Sequence, residues 1–327
     1  MHLDKAQWSV VEIGDATQVG AARRLAARIA EGAGLDEVET GQLGLVVVEL
    51  ATNLLKHATR GSLYLRAAMP GAADVIALDH GPGMDLERCF SDGFSTGGTS
   101  GTGLGAVRRA ASLFDAYSDA RGSVLFARIG TVSGPRRGSL AVAVGGELES
   151  GDSWQFIETD DGWSIAVADG LGHGTGAAAA VLPVLQAHRD TPDEPARCLG
   201  EGHRRSHGTR GSACSIVAQK GEPPMLVHAG IGNVAVSIAG HNGSRGFPSQ
   251  NGTLGVACPA IRENRLDSPP RGLLILHSDG LSARWSLDNY SGLRGRHPQV
   301  VAGALFRDAR RQRDDATVVV VELGGTR

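Results

Sequence analysis

Four aspartates in the second half of the chain stand beside glycine or at the head of an apolar run. They are Asp152 in ESGDSW, Asp169 in SIAVADGLGHGTGAAAA, Asp279 in LHSDGLS and Asp314 in RDDATVVVV. Burying several unpartnered carboxylates together is too costly for a folded chain, and divalent cations are the usual remedy. Oxygen ligation without a Cys/His set suits Mg2+ or Mn2+ rather than zinc. Each Asp taken alone also has a plain structural reading. Asp279–Gly280 reads as a turn, Asp152 as a cap, the Asp314–Asp315 pair as a strand start, and GLGHGTG as a turn that only glycines permit. The order GD … DGxGHG … SDG … RDDATVVVV is the specific signal.

A second constellation lies in the first half. In LGLVVVELATNLLKHA, Asn53 follows Glu49 by four residues, and Lys56 and His57 follow Asn53 by three and four, so all four share one helical face. That face reads equally as an ordinary solvated stripe. Next, an apolar run ends on Asp79 and HGPGMD, where the backbone can pass close to a flat ligand and the carboxylate can accept from an amino group. GFSTGGTSGTGLG then opens a helix, and glycines with hydroxyls before a helix start make a cradle for phosphate oxygens. The three elements in this order carry more weight than any one of them.

The elements that must hold these residues follow from periodicity. Residues 9–13, 62–68, 74–78 and 122–129 read as strands, 17–30 and 35–58 as helices, and AVRRAASLFDAYS continues the helix after the glycine loop. TVSGPRRG reads as a linker. Beyond it, apolar alternations broken by glycine turns dominate, with helices fitting at 175–188, 195–203 and 298–310. That pattern favours two packed antiparallel sheets with helices outside. The expected fold is α+β in two domains, 1–132 and 139–327, joined by a linker at 133–138.

Bulk composition narrows the function classes. A length of 327 residues suits two domains, and 41% apolar residues supply two cores. Residues 1–138 hold 14 basic and 15 acidic side chains, leaving 18 and 20 of the chain's 32 and 35 for the remainder. Neither half is basic, which argues against a nucleic-acid or membrane partner. Cys89, Cys198, Cys214 and Cys258 are far apart without a CxxC pair, as expected for reduced thiols in the cytoplasm. No apolar run approaches the ~20 residues of a membrane span and no signal peptide opens the chain.

ELATNLLKHA, the DxGxGM loop and FSTGGTSGTGLGAVRRAASLFDAYS resemble the GHKL (HATPase) ATP-binding fold shared by histidine kinases and anti-sigma-factor serine kinases, and the RsbT/RsbW type most of all. The resemblance implies ATP with Mg2+ as cofactor. It implies Asn53 as the Mg2+ ligand, Asp79 at the adenine amino group, Gly81 and Gly83 shaping the adenine pocket, and Gly101, Gly103 and Gly105 lining the phosphate lid. Glu49 becomes the catalytic base for an incoming serine hydroxyl, one helical turn from the metal ligand.

The ordered aspartates of residues 139–323 resemble the SpoIIE/RsbU/RsbX branch of the metal-dependent (PPM) protein phosphatases, with an αββα sandwich and a compactness closest to RsbX. That resemblance implies two Mn2+ or Mg2+ ions on Asp152, Asp169, Asp279 and Asp314, helped by the Gly170 carbonyl, with Asp169 central to catalysis and Asp315 the lesser member of its pair. It implies hydrolysis of phosphoserine or phosphothreonine by activated water. Where eukaryotic members carry a His after Asp-Gly, this chain has Leu171; His173 is assigned no catalytic role. Together the two resemblances imply a kinase–phosphatase acting on a phosphorylated STAS-domain antagonist in a partner-switching stress pathway. Alternatives are a head that only senses nucleotide or docks STAS proteins, and a head that sequesters a sigma factor.

Overall fold

In the computed structural model, residues 8–69, 71–89, 103–132, 134–145, 147, 149–241 and 243–324 are described. After β1 (Ser9–Ile13) come two helices whose starts are written in the sequence. Asp15 caps α1 (Ala16–Ala33) by accepting from the Thr17 and Gln18 backbone N–H groups, while the Gln18 side chain reaches back to the Asp15 N–H. Asp36 and Glu39 form the same reciprocal box on α2 (Glu37–His57), an arrangement worth about 1 kcal/mol per cap.

The helices lie on an antiparallel sheet made of β2 (Gly61–Met69), β3 (Ala72–Asp79), β4 (Leu113–Asp119) and β5 (Gly122–Gly130), with strand order β1-β2-β3-β5-β4. Between β3 and β4 run the short α3 (Leu86–Cys89) and α4 (Gly103–Ala110). The helix after the glycine loop is therefore shorter than AVRRAASLFDAYS suggested: it stops at Ala110, and LFDAYSD is the edge strand β4. Leu63, Leu65, Val75, Ala77, Leu125 and Ala127 face the helices and pack with Leu43, Val47, Leu50 and Leu54. The alternate residues Tyr64, Leu78, Val124 and Phe126 point to the other face and are also buried.

What buries them comes from far along the sequence. One compact unit comprises Ala6–Ser133 together with Tyr290–Asp308, which includes most of α7 (Pro298–Ala309). Phe306 meets Tyr64 edge-on at 5.9 Å and His297 stacks on Phe126 at 5.2 Å between ring centroids. The His297 N–H donates to Asp115 at 2.6 Å, and Arg307 donates to Asp119 at 3.1 Å. The same face holds a buried Asp74 whose carboxylate accepts from Arg66 and Arg128. The two guanidiniums keep its pKa below the usual range despite burial.

The other unit comprises Gly134–Asn289 and Ala309–Arg327. Its first sheet has the order β13-β10-β9-β8-β7 and its second β12-β11-β14-β15-β6. The strands are β6 (Arg137–Val142), β7 (Asp152–Thr159), β8 (Gly162–Gly170), β9 (Ser212–Lys220), β10 (Met225–Ile231), β11 (Ala235–Gly240), β12 (Gly243–Phe247), β13 (Asn264–Asp267), β14 (Gly272–His277) and β15 (Ala316–Leu323). The strand β6 begins inside the expected linker, at Arg137. Trp154, Phe156, Ile165, Val217, Ile238, Leu274, Leu276, Val319 and Val321 fill the space between the sheets. The helices α5 (Thr175–Asp190) and α6 (Pro195–Arg205) cover the first sheet through Val181, Val184, Leu185 and Leu199.

Candidate active site

The antiparallel register of β7 and β8 sets Asp152 directly opposite Asp169. Asp279 follows β14 by two residues, and Asp314 precedes β15 by two. The acids thus come from strand ends of both sheets. A cavity of about 600 Å³ opens there, lined among others by Asp169, Leu171, Asn233, Asp279, Arg313 and Asp314. Asp152, opposite the cavity-lining Asp169, is only 5% exposed.

Close approach of the backbone explains the glycines beside these acids. A Cβ on Gly170 would sit 2.2 Å from the Ala177 carbonyl oxygen, so glycine is what lets the end of β8 press against α5. On Gly280 it would sit 1.8 Å from the Asp315 carbonyl oxygen. Gly172 and Gly174 have φ of 88° and 72°, the left-handed region that the turn into α5 requires.

The carboxylates act on one another. Burial pushes the Asp152 pKa well up, and the neighbouring Asp169 charge adds to it. Burial and the charges of Asp279 and Asp314 raise Asp169 to about 7. Asp279 is raised by burial and Asp314, against the opposing pull of Arg311. Carboxylates that raise one another's pKa are short of positive charge, and an all-oxygen set of this kind fits Mg2+ or Mn2+. Among the described residues, no three His, Cys, Asp or Glu side chains are already gathered around one point. Asp152 and Asp169 face each other across β7 and β8 instead.

Asp315 behaves differently from its neighbour. It accepts from the Val144 N–H at 2.7 Å and from the Gly151 N–H at 2.6 Å, and it is 3% exposed. Its carboxylate holds the loop between β6 and β7 in place, whereas Asp314 faces the cavity. His173 also faces the cavity, half engaged by Glu147 at 2.8 Å.

Several site residues escaped the sequence reading. Ser278 donates to Asp152 at 2.6 Å and accepts from the Thr317 N–H at 3.0 Å, which ties β7 to β15. Asn233 donates to Asp279 at 2.7 Å. The signal for Ser278 was its place in HSDG, beside a candidate ligand; for Asn233 it was the glycine turn GIGN after an apolar strand.

In the first unit, Glu49 and Asn53 are half-buried on α2 while Lys56 and His57 are exposed. Asp79 is buried and accepts from the Gly81 N–H at 2.7 Å. Gly83 has a φ of 79°, and a Cβ there would sit 2.3 Å from the Asp119 carbonyl oxygen. On Gly103 a Cβ would lie 3.0 Å from the Glu49 carboxylate, so the start of α4 adjoins the acid of α2. Gly105 is half-buried in α4, and Gly101 lies outside the described residues.

The class that this sandwich and its acids define is the PPM-type phosphatase, preceded by a histidine kinase-like ATPase domain. Residues 159–324 match the family model of Stage II sporulation protein E (SpoIIE), and the chain belongs to that family. Residues 14–129 match the histidine kinase-like ATPase domain. The chain is 32% identical over 114 residues to the serine/threonine-protein kinase RsbT of Bacillus subtilis (strain 168), which spans 34% of this chain and 84% of RsbT. A crystal structure of RsbX in complex with magnesium overlays with a TM-score of 0.50 at 20% identity, covering 57% of this chain and 94% of that one. A structure described under "The bacterial stressosome: a modular system that has been adapted to control secondary messenger signaling" overlays with a TM-score of 0.53 at 23% identity, covering 58% and 100%.

Proposed function

We propose that this chain hydrolyses phosphoserine or phosphothreonine on a partner protein in a Mn2+- or Mg2+-dependent reaction, and that its head binds ATP with Mg2+ and phosphorylates Ser or Thr. The observation that carries the phosphatase half is the set of aspartates at the strand ends that push one another's pKa upward around one cavity. Asp152, Asp169, Asp279 and Asp314, with the Gly170 carbonyl, hold the cations in this reading. When bound, the cations supply the positive charge that phosphomonoester hydrolysis needs. Ser278 and Asn233 fix the Asp152 and Asp279 carboxylates, so little reorganisation is left for the reaction.

In the head, Asn53 holds the Mg2+, Asp79 reads the adenine amino group, and Glu49 takes the proton of the attacking hydroxyl. Gly81 and Gly83 leave room for the base, and Gly101, Gly103 and Gly105 for the phosphates. The similarity to RsbT supports a STAS-domain protein of a cytoplasmic partner-switching pathway as the shared substrate.

The test is transfer of labelled phosphate from ATP to candidate STAS proteins by wild type, Asn53→Ala, Glu49→Gln and Asp169→Ala. Transfer accumulates with Asp169→Ala, where hydrolysis no longer erases it, and falls by about 100-fold or more with Glu49→Gln. Absence of transfer by Asp169→Ala removes the kinase assignment and leaves a head that senses nucleotide or docks its partner; capture of a sigma factor in its place supports sequestration. Failure of the wild type with Mn2+ to release phosphate from any phosphorylated STAS protein or from p-nitrophenyl phosphate removes the phosphatase assignment.

A further inference from the structure

We propose that Arg313 is the residue that grips the phosphoryl oxygens of the substrate and of the released phosphate, an assignment that rests on the phosphatase reading above. The cavity is lined by Asp169, Asp279 and Asp314, a wall that repels a phosphomonoester dianion. Two divalent cations on Asp152, Asp169, Asp279 and Asp314 bring that wall to neutrality and no further. A dianion entering a partly buried cavity then needs a cation of the protein's own.

Among the described residues lining the cavity, Arg313 is the sole guanidinium or ammonium group. It is exposed and has neither a hydrogen bond nor an ion pair to any described residue. The other cations nearby lie outside the lining, and the polar groups within it are partly engaged. Arg311 acts on Asp279 and His277 through its charge but does not line the cavity. His173 is bonded to Glu147. Arg210 lies over Gly172 and Gly176, outside the cavity lining. Asn233 donates one amide N–H to Asp279 and carries no charge.

Position adds a second argument. Arg313 immediately precedes Asp314, and the Asp315 carboxylate is anchored by two backbone N–H groups. The backbone that carries the guanidinium is therefore fixed one residue away from a cation ligand. A planar fork held there can engage two phosphoryl oxygens through parallel hydrogen bonds, a geometry that a lysine does not match.

The experiment compares wild type, Arg313→Ala and Arg313→Lys as full chains loaded with Mn2+. Calorimetry gives the affinity for inorganic phosphate and, separately, for Mn2+; steady-state kinetics on p-nitrophenyl phosphate gives KM and kcat. Arg313→Ala weakens phosphate binding and raises KM by roughly tenfold to a hundredfold, with a smaller change in kcat. Mn2+ binds at least as tightly as in wild type, because a competing cation has been removed. Arg313→Lys recovers part of the loss.

Wild-type phosphate affinity in Arg313→Ala overturns the assignment, as does a parallel loss of Mn2+ affinity, which would make Arg313 a support for Asp314 instead. A wild type that hydrolyses no phosphomonoester, yet binds phosphate in an Arg313-dependent way, refutes the phosphatase reading and leaves the anion site standing.

Discussion

Asp314 and Asp315 are chemically identical neighbours with different surroundings, and the difference fixes their work. Asp314 faces a cavity and raises the pKa of Asp169 and Asp279; Asp315, whose charge also bears on Asp152 and Asp169, is buried and spends its oxygens on two backbone N–H groups. Asp314→Asn therefore lowers Mn2+ affinity steeply and leaves the unfolding free energy of the metal-free protein unchanged or higher, since one repelling charge is gone. Asp315→Ala leaves two buried donors unpaired, at about 1–3 kcal/mol each. It shifts the urea midpoint downward, while Mn2+ affinity measured below the transition falls only a few-fold. Equal effects of the two substitutions on Mn2+ binding would refute this division. The sequence made the pair visible and favoured Asp314, but it could not show which backbone groups claimed Asp315. Those donors, Val144 and Gly151, lie more than 160 residues away along the chain.

The strands and helices were legible to the extent that their pattern is local. Apolar periodicity marked α1 and α2 to within two or three residues of their ends, and alternation marked the strands that carry Asp152, Asp169 and the DDATVVVV run. LFDAYSD was absorbed into the preceding helix because its apolar residues fit either period; pairing with β5 decides for a strand. Interior polar pairs were equally hidden. On α5, His188 is fully buried, accepting from Gln155 at 2.6 Å and bonded to Ser164 at 2.7 Å. Burial, with Arg189 nearby, lowers its pKa to about 3 from 6.5. An unfolded imidazole takes up a proton near pH 6.5 that the native one refuses until about pH 3. The stability that His188 contributes is thus present above pH 6.5 and is lost on acidification, at up to about 1.4 kcal/mol per pH unit. The raised aspartates act in the opposite sense, so the contrast between wild type and His188→Gln isolates the histidine. The gap in unfolding free energy between the two narrows as pH falls from 7 to 5, and the His188 ring resonances stay in the neutral position throughout. A gap independent of pH would show that the native imidazole titrates normally.

At the scale of the whole chain, the least legible feature is the segment Tyr290–Asp308. Sequence order placed the helix at 298–310 among the elements of the second domain, yet this segment clusters with Ala6–Ser133. The reason is physical. The sheet of the first unit has two apolar faces; α1 and α2 cover one, and Tyr64, Leu78, Val124 and Phe126 on the other need a cover as well. Phe306 and His297 supply it, all but sealed from solvent, and Arg307 closes the edge on Asp119. Gly303 sets how near the helix can come: a Cβ there would sit 2.7 Å from Val124 and 3.4 Å from Leu78. Gly303→Leu must then lift α7 off β3 and β5, an overpacking cost of about 1–3 kcal/mol, whereas Gly303→Ala has to displace only the Val124 methyl. Hydrogen exchange on the full chain reads this directly. With leucine at 303, amides of β3 and β5 exchange faster, roughly tenfold or more for each 1.4 kcal/mol of lost protection, while amides of β7 and β8 keep their wild-type rates. Alanine at 303 produces a fraction of that change. Unchanged exchange in β3 and β5 with leucine in place would mean that α7 is not the cover of this sheet. In that case the buried face of Tyr64 and Phe126 would owe its protection to some other part of the chain.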